Sequence, residues 1–314
     1  MKKWVIAAAS LFVLLLAGIY FFIPGKIVVA RSITANANQS GVYRFLTNAS
    51  NWPAWWPGWS STDKVADSVF ESGGFRFNKT INGYNSFGII IEKDKTADSS
   101  FLHLLSPGND SIKIEWNTTI NTGSNPLARI RGYFKAKELG NQLEAILAAM
   151  QKYISIEKHI YGIDIRHEKM PIDFMVSIKK PFDRYPTTED IYTEMSGIRK
   201  YIAQAQAIEN NYPVLNISTT DSIHFELVVA VPVNKQVPDS GIFTERRMLK
   251  NGNLLSAEIA GGKYTVDVAL KQMEIYARDH QHLNIAIPFQ SFLTDRMKVA
   301  DTSKWVTRIG YPIL

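Results

Sequence analysis

The sequence predicts an α+β protein made of two modules behind one N-terminal transmembrane helix. Three observations carry that prediction. A long apolar run opens the chain, short segments of alternating apolar and polar residues fill its first half, and a strand-helix-strand-strand pattern occurs twice in its second half. With 314 residues the chain exceeds one ordinary domain of roughly 100–200 residues. The expected boundaries are residues 1–25 for the anchor, 26–162 for the first module and 163–314 for the second.

The anchor comes first. Trp4 to Ile23 is apolar apart from Ser10, Gly18 and Tyr20. At about 1.5 Å rise per residue, about twenty such residues cross a hydrocarbon core of about 30 Å. Pro24-Gly25 ends the run. Lys2, Lys3 and the amino terminus precede it, so the positive-inside bias keeps the N-terminus cytoplasmic and sends the rest across. The expectation is a single-pass protein of the cell (inner) membrane, touching the lipid bilayer through residues 4–23, with both modules extracytoplasmic. A cleaved signal peptide is the competing reading, but its apolar core is about 7–15 residues long and ends in a small-x-small site. Val28-Val29-Ala30 is a weak site of that kind and already lies in the first expected strand.

Composition narrows the class. Hydrophobic residues make up 46% and charged residues 20%, which fits ordinary globular modules rather than disorder or a multi-span protein. The net charge of +6 is mild, and no Lys/Arg run is interleaved with aromatics, so nucleic acid is not an expected partner. The chain has no cysteine, which removes disulfides, thiolate catalysis and Cys-held metals.

In the first module, Ile27 to Ile33 is β-branched and predicts a strand, and Val42, Phe45 and Leu46 predict a short helix after the candidate caps Asn36 and Asn38. The segment Trp52-Pro53-Ala54-Trp55-Trp56-Pro57-Gly58-Trp59 stops that helix, since proline denies it continuation. Period-two segments follow: Phe75/Phe77, Phe87/Ile89/Ile91, Phe101 to Leu105, Ile112/Ile114/Trp116/Ile120 and Ile130 to Phe134. They predict an antiparallel meander. Leu139, Leu143, Ile146, Leu147, Met150 and Ile154 then form the stripe of an amphipathic terminal helix.

The leading strand, the helix Gln39 to Thr47, the Trp-Pro segment and the terminal helix together resemble the SRPBCC, or START-like helix-grip, superfamily, in particular its polyketide-cyclase/dehydrase-like members. The resemblance implies an apolar cavity between sheet and terminal helix, a hydrophobic ligand, and Trp52, Trp55 and Trp56 at its mouth or wall. Read from the residues alone, the same rings plug the core, since large aromatics mostly serve packing.

In the second module, Leu227 to Val233 has an echo about eighty residues later in Thr307 to Ile313, each a strand ending in a proline flanked by apolar residues. Thr187-x-x-Asp190 is a capping box opening a helix with Ile191, Met195, Ile198 and Ile202 on one face. Val266, Leu270, Met273 and Tyr276 line its counterpart. Two such halves pair about a pseudo-twofold axis and leave a cleft suited to a ligand.

Gly262-Lys263-Tyr264, Ile287 to Leu293 and Trp305 to Ile313 resemble the GyrI-like domain, also called the AraC-type effector-binding domain. The family carries Pro-x-Glu-x-Tyr in its middle motif, where the Glu meets cationic ligands. Here those positions are Pro288, Gln290 and Phe292, and an amide can neither compensate a cation nor act as a general base. The resemblance places Tyr264, Gln290, Phe292 and Tyr311 on the cleft wall. The bland reading of these four is an aromatic core around one satisfied amide.

No motif for catalysis or cofactor binding emerges. The histidines include no i, i+4 metal pair, and His280-x-His282 falls at a predicted helix end, where a solvated His suits the dipole. Ser61-x-x-Lys64 and Ser177-x-x-Lys180 lack companion motifs. Glu194, Glu226 and Glu258 are acids that could replace the missing cleft Glu. The expectation is a protein without catalytic residues, metal or cofactor that binds a small apolar or amphipathic ligand. The rivals are a hydrolase or cyclase using a cavity carboxylate, and an interaction scaffold with closed cavities.

Overall fold

The computed structural model describes residues 2–59, 69–219, 221 and 223–314, so Ser61-x-x-Lys64 lies outside the described residues. The chain forms two compact units, Met1–Ile156 and Glu157–Leu314.

The first unit opens with α1 (Lys2–Phe22), long and apolar enough to cross a bilayer. The last carbonyls of a helix lack intrahelical donors, and here Arg129 supplies one. Its Nη1 donates to the Ile23 carbonyl at 2.7 Å, and its guanidinium lies 4.4 Å from the Tyr20 ring centre. Tyr20 Oη donates to the Ser124 carbonyl at 2.7 Å.

The strands β1 (Lys26–Ala35), β2 (Val69–Ser72), β3 (Phe75–Gly83), β4 (Ser86–Lys93), β5 (Thr96–Gly108) and β6 (Ser111–Asn121) form an antiparallel sheet in the order β1-β6-β5-β4-β3-β2. Asp94 and Lys95 both take positive φ, the turn chemistry that joins β4 to β5 tightly. Between β1 and β2 lies α2 (Gln39–Thr47), capped by the Asn38 side chain, which accepts from the Ser40 and Gly41 N–H groups.

The sheet curls around α3 (Pro126–Ile154). The pattern Ile130 to Phe134 predicted a further strand; it is the first turns of this helix instead. Asn125 accepts from the Ala128 N–H at 2.7 Å and Pro126 occupies the first turn, start signals that outweigh a short period-two pattern. The α3 stripe of Leu139, Leu143, Ile146, Leu147, Met150 and Ile154 is fully buried. Each such side chain contributes roughly 1.5–3 kcal/mol of burial free energy.

The second unit begins with α4 (Glu157–Tyr161), whose Tyr161 packs in the core of this unit beside Met273 and Tyr276. Next come β7 (Arg166–Lys169), β8 (Phe174–Phe182), α5 (Thr188–Gln204), β9 (Val214–Thr219) and β10 (Phe225–Val233). The same series then repeats as β11 (Thr244–Arg247), β12 (Asn253–Ala260), α6 (Lys263–Asp279), β13 (Phe289–Phe292) and β14 (Val306–Ile313). All eight strands make one antiparallel sheet in the order β11-β8-β10-β9-β13-β14-β12-β7. The order reads the same from either edge, which is a pseudo-twofold arrangement with β9 and β13 at its centre.

The halves match in detail. Gln206 and Gln281 both take positive φ just after their helices, the left-handed exit that ends many helices. The carbonyls of Pro232 and Pro312 accept from Asn210 and Ile285. Each leading strand is exchanged: β7 precedes β8 but pairs with β12, and β11 precedes β12 but pairs with β8. At one point the halves differ in volume. Ala230 faces Val214, whereas Gly310 faces Phe289, and a Cβ on Gly310 would lie 2.3 Å from that ring.

The chain is therefore an α+β protein with two antiparallel sheets, the second duplicated, and one N-terminal apolar helix.

Candidate functional site

At the centre of the second sheet, Gln290 of β13 pairs with Leu215 of β9. Directly opposed residues of antiparallel strands share a face. Leu215 is buried in the core that carries α5, and Gln290 faces the space beside it. That space holds two adjoining hollows of about 270 Å³ and about 230 Å³, both lined by Tyr185, Ile217, Lys263, Asp267 and Gln290. The shared walls make them one crevice. Phe225 and Leu270 extend one part, and Phe292, Arg296 and Trp305 extend the other.

Local sequence explains each wall. Thr187 and Asp190 cap α5 reciprocally, with Asp190 accepting from the Thr187 N–H at 2.7 Å, which sets Tyr185 and Pro186 at the crevice just before the helix. Lys263 and Asp267 lie one turn apart on α6 and form an ion pair along the crevice wall. The hydrogen bond that Lys263 donates to Asp267 holds the Lys263 pKa above its usual value. Lys263 Nζ also lies 4.7 Å from the Tyr185 ring centre. Burial raises the pKa of the Tyr185 hydroxyl, which keeps it protonated.

Among solved structures the chain is similar to three of particular note. The C-terminal domain of EcmrR is 12% identical, with 48% of this chain and 98% of that one covered at a TM-score of 0.41. A START superfamily protein from Mycobacterium smegmatis is 13% identical over 40% of this chain and 96% of that one, at 0.30. The di-domain ARO/CYC BexL from the BE-7585A biosynthetic pathway is 9% identical over 92% of this chain and 85% of that one, at 0.34. No family model and no curated protein matches the chain.

The residues expected from sequence separate into three groups. Gln290 and Phe292 line the crevice. Tyr264 is 81% exposed on α6 and Tyr311 is packed in the α6 core, so neither reaches it. Trp52, Trp55 and Trp56 belong to the first unit, where all three are buried.

The tryptophans form a continuous aromatic cluster. Trp52 lies 5.1–5.9 Å, ring centre to ring centre, from Trp55, Trp56 and Phe70, and Trp56 also meets Phe77 at 5.3 Å. Indole N–H groups need acceptors when buried. Trp52 Nε1 donates to the Leu46 carbonyl and Trp56 Nε1 to the Glu71 carbonyl, each at 2.9 Å.

The three acids suggested as substitutes for a cleft Glu do not line the crevice. Glu194 and Glu226 pair with Lys180 and Lys179, and Glu258 is exposed. The carboxylate that does line it is Asp267, which sequence reasoning missed together with Tyr185, Lys263, Arg296 and Trp305. The i, i+4 spacing of Lys263 and Asp267 was a readable signal for their pairing. The histidines at the end of α6 are also more than a solvated terminus: His280 stacks on Tyr276 at 4.1 Å, with His167 and His282 close by. No cluster able to hold a metal occurs among the described residues.

Proposed function

We propose that the chain is a membrane-anchored small-molecule-binding protein, with α1 in the bilayer, the N-terminus cytoplasmic and both units outside. In this reading the first unit is an SRPBCC-like helix-grip domain and the second a GyrI-like effector-binding domain. The crevice around Gln290 takes an apolar or amphipathic molecule. The observation that carries the reading is the crevice itself, concave, walled by Tyr185, Ile217, Phe225, Phe292 and Trp305, and holding a few convergent polar groups. That combination is the usual form of a small-molecule site.

Binding rather than turnover is the favoured role. Among the described lining residues Asp267 is the one carboxylate, and Lys263 already engages it.

Native mass spectrometry of the full-length protein from detergent, as wild type and as Ile217→Trp, tests the reading. The added indole fills the shared wall. The expected result is a small-molecule adduct on the wild type that the variant loses at unchanged melting temperature. An adduct equally present on both proteins places the molecule elsewhere and overturns the reading.

A further inference from the structure

The crevice holds more cation than carboxylate. We infer that its ligand is an amphipathic anion, with an oxyanion head on the Arg296 guanidinium and an apolar body along Ile217, Phe292 and Trp305. This rests on the reading of the crevice as a ligand site.

Across both hollows the charged lining groups are Lys263, Asp267 and Arg296. Lys263 and Asp267 answer one another. Arg296 is answered by no carboxylate among the described residues: its neighbour Asp295 is engaged with Lys298. The guanidinium instead lies against two rings, with Cζ 3.4 Å from the Phe292 centre and 4.5 Å from the Trp305 centre.

A guanidinium has five N–H donors in a planar fork. Here Nη2 donates to Thr307 Oγ1 at 2.6 Å, while Nε is buried without an acceptor. Stacking on aromatic faces recovers part of the cost of desolvating the cation, but it supplies no acceptor. An unmatched buried charge is costly to keep, and a rigid fork of this kind fits the paired oxygens of a carboxylate or similar oxyanion. Burial pushes the Arg296 pKa down to about 10, so the group is still cationic at neutral pH.

Two further features favour an anion. The protonated Tyr185 hydroxyl and the Gln290 carboxamide are hydrogen-bond donors on the same walls. The first N–H groups of α6 receive no side-chain cap from Gly262, and they add the positive end of a helix dipole. A neighbouring groove of about 560 Å³ shows the contrast. Its Arg199 is held twice by Glu209, at 2.8 and 2.9 Å, so that cation is already matched.

The test uses full-length protein in phosphatidylcholine nanodiscs, with empty nanodiscs as the blank. Isothermal titration at pH 7.5 compares decanoate, decanol and decyltrimethylammonium, which share one chain and differ in head charge. Decanoate is expected to bind about tenfold or more tightly than decanol, with an affinity that falls as salt rises, and the ammonium compound more weakly than either. Arg296→Met should bring decanoate down to the decanol level and leave decanol unchanged, and Arg296→Lys should restore part of the preference. The wild-type salt dependence decides the matter if the variants do not fold.

Equal affinities for decanoate and decanol, or a preference for the ammonium compound, overturn the anion inference and leave the crevice reading standing. Absence of binding by all three overturns both.

Discussion

The two units place their aromatic side chains to opposite ends. In the first, Trp52, Trp55, Trp56, Phe70 and Phe77 pack ring against ring in the interior and satisfy two of their indole N–H groups on backbone carbonyls. In the second, Tyr185, Phe225, Phe292 and Trp305 line a crevice. Large rings do not by themselves indicate a ligand. The difference lies in what the rings meet, which is other rings in one case and a hollow with charged walls in the other.

Truncation and filling should therefore have opposite consequences in the two units. Trp52→Ala removes the centre of the cluster and should destabilise the first unit by about 3–5 kcal/mol, read by chemical denaturation of the full-length protein in detergent. A loss under about 1 kcal/mol would mean that the cluster is loosely packed. Gly310→Ala drives a Cβ into the Phe289 ring and should cost about 1–3 kcal/mol by overpacking. Ile217→Trp, by contrast, enters an existing hollow and should change stability by less than about 1 kcal/mol. A cost as large as that of Gly310→Ala would show that the crevice is closed.

A smaller effect is expected at the α5 cap. Thr187→Ala removes the hydroxyl that accepts from the Asp190 N–H and should cost about 1 kcal/mol. It should also loosen Tyr185 at the crevice edge.

The smallest effect concerns pH in the first unit. Burial lowers the Lys79 pKa to about 8, although its ammonium donates to the Leu46 carbonyl at 2.9 Å and faces the Trp52 ring. Because the folded-state value lies below the unfolded one, the unfolded chain binds more protons between about pH 8 and the ordinary lysine value of 10.5. The cost of burying the charged group is then fully present below pH 8 and is relieved as pH rises through that window. The stability of the wild type relative to Lys79→Met should accordingly increase from pH 8 to 10.5. A flat difference would mean that the carbonyls and ring hold the ammonium at its ordinary pKa.

Much of this architecture was legible in the residues. The apolar stripe of α3, the meander and the duplicated helices announce themselves by period, and the repeated strand ending in Pro232 and Pro312 exposes the duplication. The exchanged strands β7 and β11 were not legible, because four polar residues such as Arg166 to Lys169 carry no periodic signal and their pairing is set by the other half. The crevice was half legible. Gln290 and Phe292 could be found from a motif, whereas Tyr264 and Tyr311 were misplaced because facing direction on α6 and β14 depends on packing. Arg296 gave no signal at all: a basic residue in a loop reads as solvated until two rings are seen against it.

The most direct measurement is hydrogen exchange on the full-length protein with and without saturating decanoate and decanol. Added protection should appear in peptides covering Val214–Thr219, Phe289–Phe292 and the start of α6, with none in the peptides around Trp52 to Trp56. Protection confined to the tryptophan segment of the first unit would contradict the account.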